Sequence, residues 1–401
     1  MSRGLAPAGL GRVHDVLARH VEGGIPGLVG LVRRGDDVHV EALGTLAAGG
    51  GGAVRRDAIF RIASMTKPVT AAAAMMLVED CDVRLDDPVD RFLPELADRR
   101  VLRSLDGPLD DTVLAERAIT LRDLLTFRMG FGIPMVPPGT YPIQRAIDAL
   151  ALGQGPPRPA TPPAPDEWLR RFGTLPLMHQ PGARWMYHTA SDVLGVLVAR
   201  AAGCPLEDFL RERLFEPLGM RDTGFSVPPG AIDRLATSYW TNPATGTVEV
   251  FDAAAGGEWS RSPAFPSGGG GLVSTADDYL AFAEMLLADG RRRSGRILSR
   301  ATVALMTQDH LTPAQKAASA FVPGWFDRFG WGFGVSVVTR RDDVAKSVGT
   351  YGWDGGLGTS WFTDPREDLI VVLLTQRAWT SPNPPPVFVD FWTAVYRALD
   401  D

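Results

Sequence analysis

The chain has 401 residues, room for one large domain or two to three small ones. Hydrophobic residues at 45% and charged residues at 22% are ordinary globular proportions, and the length allows a sizeable core. A net charge of −6 gives no basic footprint for nucleic acid, and no apolar run reaches the ~18 residues needed to span a bilayer.

The N-terminal residues lack a sustained apolar signal segment, so a cytoplasmic location is expected. Residues 10–22 read as an amphipathic helix. Residues 27–45 read as a hairpin, with two β-rich runs around Gly35, Asp36 and Asp37. A glycine-rich connector, Gly49 to Gly52, leads toward Ser64 and a helix from Thr66 to Asp80. Pro68 is tolerable there only in the first turn, where amide hydrogens lack partners anyway. Residues 86–130 and 166–225 read as mostly helical. Between them, residues 134–165 carry ten prolines, which excludes a regular helix or a central strand and suggests a rim loop beside a site. Ser274 to Asp277 resembles a capping box for a helix running to about Leu287. Strands then resume at Trp331–Val338, Val344–Val348, Leu357–Thr363 and Leu369–Thr375, the last two joined by a turn over 364–368.

Strands at both ends with helices between them imply a sheet completed by both termini. The expected fold class is therefore α+β, an antiparallel sheet flanked by helices with an inserted, mostly helical domain. The sheet domain would comprise residues 1–85 and 250–401, and the helical domain residues 86–249, including the proline-rich loop.

Only three of the 41 basic residues are lysines: Lys67, Lys316 and Lys346. Where Arg is the habitual cation, Lys67 stands out because it follows Ser64 at the spacing S-x-x-K. An Arg cannot lose its proton near neutral pH, whereas a desolvated ammonium can. On a helix the two residues share a face, so a neutral Lys67 would take the Ser64 proton during nucleophilic attack. Tyr187 stands between a Pro-Gly turn and a helix beginning near Ser191, and a tyrosine beside such a lysine can pass a proton. His188 is a competing base. In Tyr351-Gly352-Trp353-Asp354-Gly355-Gly356-Leu357-Gly358, a glycine-rich strand edge lets a substrate carbonyl approach backbone N–H groups. Two cysteines, Cys81 and Cys204, and six scattered histidines form no ligand spacing, so neither metal nor cofactor is implied.

The order S-x-x-K, then Tyr, then a Trp-x-Gly strand resembles the serine β-lactamase and penicillin-binding-protein superfamily. It is most similar to the class C-like branch that includes family VIII carboxylesterases. The likeness spans about residues 10–395, through Phe60–Pro68, Leu121–Gly130, Pro181–Gly195, Glu216–Met220 with Thr223, Gly269–Thr275 and Trp353–Pro365. It implies a β-lactamase/transpeptidase-like fold, Ser64 as the acylated nucleophile, Lys67 as its base and Tyr187 as the proton shuttle. The amides of Ser64 and Gly356 would form the oxyanion hole. Trp353, Asp354 and Gly355 would border the substrate with His188 and Thr189.

Two departures bear on substrate. Thr189 takes the third place of the Tyr-x-Asn-like motif, so an amide side chain is absent there. Trp353 stands where β-lactamases and D-alanyl peptidases usually have the lysine of K-T-G. An anionic substrate would lose a charge-assisted contact of ~1.5–3 kcal/mol there. The resemblance thus implies a serine carboxylesterase acting on small, neutral esters of short acyl chains. A β-lactamase or D-amino-acid peptidase, an acyltransferase using the same acyl-enzyme, and a non-catalytic binding module are the alternatives.

Overall fold

A computed structural model describes residues 4–292, 295–319 and 321–399. Its centre is an antiparallel sheet built from both ends of the chain. Strands β1 (Gly27–Arg34), β2 (Asp37–Ala47) and β3 (Gly50–Ala53) come from the N-terminal part. Strands β4 (Phe329–Trp331), β5 (Ser336–Val338), β6 (Tyr351–Gly355), β7 (Thr359–Asp364) and β8 (Leu369–Thr375) come from the C-terminal part. Their spatial order is β4-β5-β6-β7-β8-β1-β2-β3, so the first and last strands meet in the middle, with Leu31 opposite Val372.

Strand period explains the layers. Alternate residues point to opposite faces. Val29, Leu31, Ile370, Val372, Leu374, Trp353 and Trp361 pack on one face with helix α2 (Thr66–Glu79). Helices α3 (Thr189–Ala202) and α4 (Ala276–Leu287) contribute to that same core. Leu28, Val32, Leu369, Val371, Leu373 and Phe362 point the other way. They pack on Val13 and Leu17 of helix α1 (Pro7–Glu22) and on Phe388, Phe391 and Val395 of helix α5 (Pro386–Arg397). With both faces covered, β8 is an unbroken apolar run from Leu369 to Leu374, every residue buried. Among the described residues no helix is long and apolar enough to cross a membrane.

The hairpin turns at Gly35 and Asp36, with Arg34 paired to Asp37, and α2 ends one residue before the sequence reading. Other segments depart from it. Val344–Val348 is a loop, because Val344 and Val348 point into solvent and offer no buried face. Residues 331–338 are the ends of two strands folded back at Gly334, whose φ of +72° suits glycine. The strand expected from Leu357 begins at Thr359, because Gly358 at φ +101° makes the turn after β6. Residues 86–130 are mostly irregular. Pro88, Pro94 and Pro108 interrupt them, leaving one short α-helix, Leu121–Leu125, two 3-10 turns, Val89–Arg91 and Pro94–Leu96, and a small strand pair, Arg100–Leu102 with Thr112–Leu114. The proline-rich segment does contain a helix, Pro142–Ala149: its proline occupies the first turn and none follows until Pro156. The cap of α4 is Thr275 rather than Ser274; its hydroxyl accepts from the Asp278 N–H at 3.1 Å.

The sheet also fixes the chain just before α2. The Thr359 hydroxyl donates to the Ile62 carbonyl at 3.1 Å, and the Ile62 N–H donates to the Leu272 carbonyl at 3.0 Å. Close approach depends on Gly355: a Cβ there would stand 2.3 Å from the Ile62 carbonyl oxygen and 2.1 Å from Thr359 Oγ1. Gly355→Ala should therefore cost about 1–3 kcal/mol in urea unfolding through overpacking. Gly356→Ala, whose Cβ would meet nothing within 4 Å, should leave stability unchanged.

Candidate active site

Ser64 lies in a single 3-10 turn, Ala63–Met65, that runs directly into α2. Ala63 holds φ +44°, an uncommon backbone for a residue with a Cβ, immediately before the serine. The junction is tied down: the Tyr279 hydroxyl donates to the Met65 carbonyl at 2.8 Å, and the Leu272 N–H donates to Thr66 Oγ1 at 3.2 Å. Ser64 itself is half-buried and borders a cleft.

Lys67, one turn further along, is 0% exposed. Its Nζ lies 2.9 Å from Ser64 Oγ, 3.1 Å from His188 Nδ1 and in hydrogen-bond contact with the Gly269 carbonyl. Burial draws its pKa from 10.5 down to about 7, with the Asp192 charge opposing. The Tyr187 ring covers the amine, its centroid 4.8 Å from Nζ.

Tyr187 and His188 precede α3. The Tyr187 hydroxyl accepts from the Trp353 indole N–H at 2.8 Å. Burial is the largest influence on this phenol and holds its pKa above the ordinary value, while the neighbouring Ser64 and Trp353 side chains pull the other way. His188 occupies φ +84° at the N-terminus of α3, with its Nε2 3.2 Å from Asp192 Oδ2. Burial and the Lys67 charge lower the imidazole pKa, and Asp192 opposes them. For Asp192 burial is the largest effect and pushes upward. Hydrogen bonds from His188 and Ser267, with the Lys67 charge, outweigh it and hold the carboxyl below its ordinary value.

The structure thus brings Ser64, Lys67, Tyr187, His188 and Trp353 together. Gly356 lies on the cleft wall with open space before it. Gly355 supports the wall from behind through its contact with Ile62. Of the remaining two expected residues, Asp354 also lines the cleft and Thr189 is buried. Thr189 accepts a hydrogen bond from Gln154 at 2.8 Å. Asp354 alternates with Trp353 and shares the opposite sheet face with its cross-strand partner Ser360 and with Phe362. Three participants were absent from the sequence reading: Asp192, Ser267 and the Gly269 carbonyl. Asp192 follows His188 by four residues, a spacing that puts two side chains on one helix face and marks the pair for notice. A carbonyl leaves no mark in a sequence.

The cleft is about 610 Å3. Near Ser64 its walls are Ile133, Met135, Phe321, Trp325 and Trp353, with Gly155–Pro157 of the proline-rich segment along one side. Trp353 is wedged among rings, 4.7 Å from Trp331 and 5.6 Å from Tyr187 by centroid. No ion pair to a substrate carboxylate is offered at that position. Instead the indole serves the tyrosine.

A half-buried serine against a buried amine and a tyrosine places a nucleophile within reach of a base. Residues 13–385 match the Beta-lactamase family, and the chain belongs to it. Esterase EstB of Burkholderia gladioli is 32% identical over 378 residues, covering 90% of this chain and 88% of EstB. Protein Rv1367c of Mycobacterium tuberculosis is 45% identical over 332 residues, 80% of this chain and 78% of its own. Among solved structures, EstCE1, described as a hydrolase with promiscuous acyltransferase activity, superposes with a TM-score of 0.80 at 29% identity. That match covers 97% of this chain and 98% of EstCE1.

The Trp353 contact generates a test. Trp353→Phe keeps an aromatic ring in the wall and removes the donor to Tyr187. Loss of one neutral hydrogen bond in the reaction path should lower kcat for a nitrophenyl ester about tenfold. The thermal unfolding midpoint should stay close to that of the parent protein.

Proposed function

We propose that the protein is a serine esterase that forms an acyl-enzyme on Ser64. The observation that carries this reading is the Lys67 amine, free of solvent contact, with a pKa near 7, 2.9 Å from the serine oxygen. In the neutral form the amine accepts the Ser64 proton as Oγ attacks the ester carbonyl. The developing oxyanion takes hydrogen bonds from the Ser64 and Gly356 amides. Tyr187, held by Trp353, gives its proton to the departing alkoxide and is reprotonated from the Lys67 ammonium. Water then attacks the acyl-enzyme along the same route in reverse and releases the acid.

The substrate would be a small ester with a neutral, apolar acyl group. The aromatic wall at Phe321, Trp325 and Trp353 supports this, as does the indole standing where a lysine would bind an anion. The named activity of EstB, an esterase, supports the bond type. Lactam and D-alanyl substrates, which carry a carboxylate beside the scissile amide, are the poorer fit. EstCE1's description favours one further reaction of the same intermediate, transfer to an alcohol in place of water. An ester product that grows with added alcohol while acid formation falls would establish it.

Ser64→Ala should lower p-nitrophenyl butyrate hydrolysis by at least about 10³-fold and abolish the acyl adduct seen by intact mass. Retained turnover would overturn the assignment. Lys67→Arg, a permanent cation, should fall by on the order of 10²–10⁴-fold. In the parent protein only the neutral amine is competent, so kcat/KM should rise with pH through about 7 and level off above it. A rate already maximal at pH 5 would contradict a lysine base.

A further inference from the structure

The hydrogen-bonded line does not stop at Lys67. Asp192 Oδ1 accepts from the Ser267 hydroxyl at 2.6 Å and from the Gly269 N–H at 3.0 Å, and its Oδ2 faces His188 Nε2. An ionised carboxylate only accepts, so His188 must carry its hydrogen on Nε2. The lone pair of Nδ1 is then turned toward Lys67 Nζ, 3.1 Å away. The tautomer follows from this network.

That assignment limits what the amine can do. The Gly269 carbonyl accepts and cannot donate, and so does Nδ1 in this tautomer. A neutral amine has two hydrogens and one lone pair. Two obligate acceptors take both hydrogens, and among the described residues the remaining hydrogen-bond partner is Ser64 Oγ at 2.9 Å. The lone pair therefore points at the hydroxyl to be deprotonated.

We propose that His188, backed by Asp192, is a positioning residue that aims the Lys67 lone pair at Ser64 and supports the charge Lys67 acquires. The inference rests on the acyl-enzyme reading and deepens it. In the step concerned, the Ser64 O–H bond breaks as Oγ bonds the carbonyl carbon, and the proton and its positive charge move to Nζ. The ammonium then donates to Nδ1, to Gly269 and back toward the serine oxygen. No proton passes to His188 or Asp192. The carboxylate beyond the ring offsets the new charge, which the buried site would otherwise leave without a counterion.

The charged and titratable groups around His188 are Lys67 from α2, Asp192 from α3 and Tyr187, whose ring centroid lies 6.0 Å away. An ordinary core histidine would satisfy its two nitrogens equally well. Such a residue has no reason to hold φ +84°, which Asn or Gly adopts more readily. Here the unusual backbone delivers the ring between an amine and a carboxylate.

Two substitutions separate the functions. His188→Leu removes the acceptor. His188→Asn suits the left-handed backbone and can return an oxygen near the position of Nδ1, without the link to Asp192. With Leu, kcat for p-nitrophenyl butyrate should fall on the order of 10²-fold with KM within about twofold. The acidic limb of kcat/KM should move to lower pH, because burial then acts on Lys67 without an acceptor for its cation. Asn should recover most of the lost rate. A Leu variant with unchanged kcat and unchanged limb would overturn the proposal. So would a loss of kcat that Asn does not relieve and that leaves the limb in place, which is the signature of packing alone. Should Leu fail to fold, the Asn limb decides: a midpoint identical to the parent's, at full rate, counts against any role for the Asp192 link. Labelling of the parent protein by a fluorophosphonate, traced to Ser64, tests the underlying reading separately. Its absence would refute the acyl-enzyme whatever the His188 variants do.

Discussion

An amine with no contact with solvent must satisfy its hydrogen bonds inside the protein, and this requirement organises the site. Stripping water from an ammonium is costly, so burial at Lys67 trades charge for basicity near neutral pH. Its three partners come from three places: Ser64 from the turn before α2, His188 from the N-terminus of α3, and Gly269 from the glycine-rich segment leading to α4. None of these elements makes the site alone. Their packing is close because the facing surfaces are small. Ala71–Ala74 fill α2, and Gly195 of α3 meets Gly268, where a Cβ on Gly195 would lie 3.3 Å from the Gly268 Cα. Thr70 adds a direct tether, donating to the Gly268 carbonyl at 2.8 Å.

What could be read from the sequence follows the range of the interaction. Ser64 and Lys67 are three residues apart, and helical geometry alone places them together. The hairpin at Gly35 and Asp36 was legible for the same reason: a two-residue turn between apolar runs fixes register locally. The run Leu369–Thr375 was legible because burial on both faces leaves a continuous apolar string. By contrast, the Trp353–Tyr187 hydrogen bond spans 166 positions and the Lys67–His188 contact 121. Such contacts are set by how layers stack, and single-chain periodicity does not encode them. His188 was read as a rival base and substrate contact; the fold sets its ring against the amine, and the residue also lines the cleft.

The errors have a common physical source. Val344–Val348 has strand-like composition, but its valines lie outside the layers, and composition without a partner surface makes no strand. The helix Pro142–Ala149 was hidden by neighbouring prolines, although proline in a first turn is compatible with helix. Asp354 and Trp353 are adjacent in a strand and so point to opposite faces, yet both line the cleft at the sheet edge.

The exchange of lysine for Trp353 is more than the loss of a charge. An indole N–H is a single donor with a fixed direction, whereas an ammonium has three and turns freely. Packed against Trp331 and Trp325, the ring cannot swing toward a substrate. Its one donor is already committed to Tyr187. The strand edge beside it nonetheless stays open. β5 pairs with β6 only at Gly352 and Tyr351, so Trp353–Gly355 present an unpaired backbone edge on that side. Recognition at this wall then depends on backbone groups and apolar surface, which discriminate by shape. A wall of that kind gives little grip to a carboxylate. The same indole that leaves no cation there also holds the phenol, so the chemistry of the wall and the position of Tyr187 are coupled through one side chain.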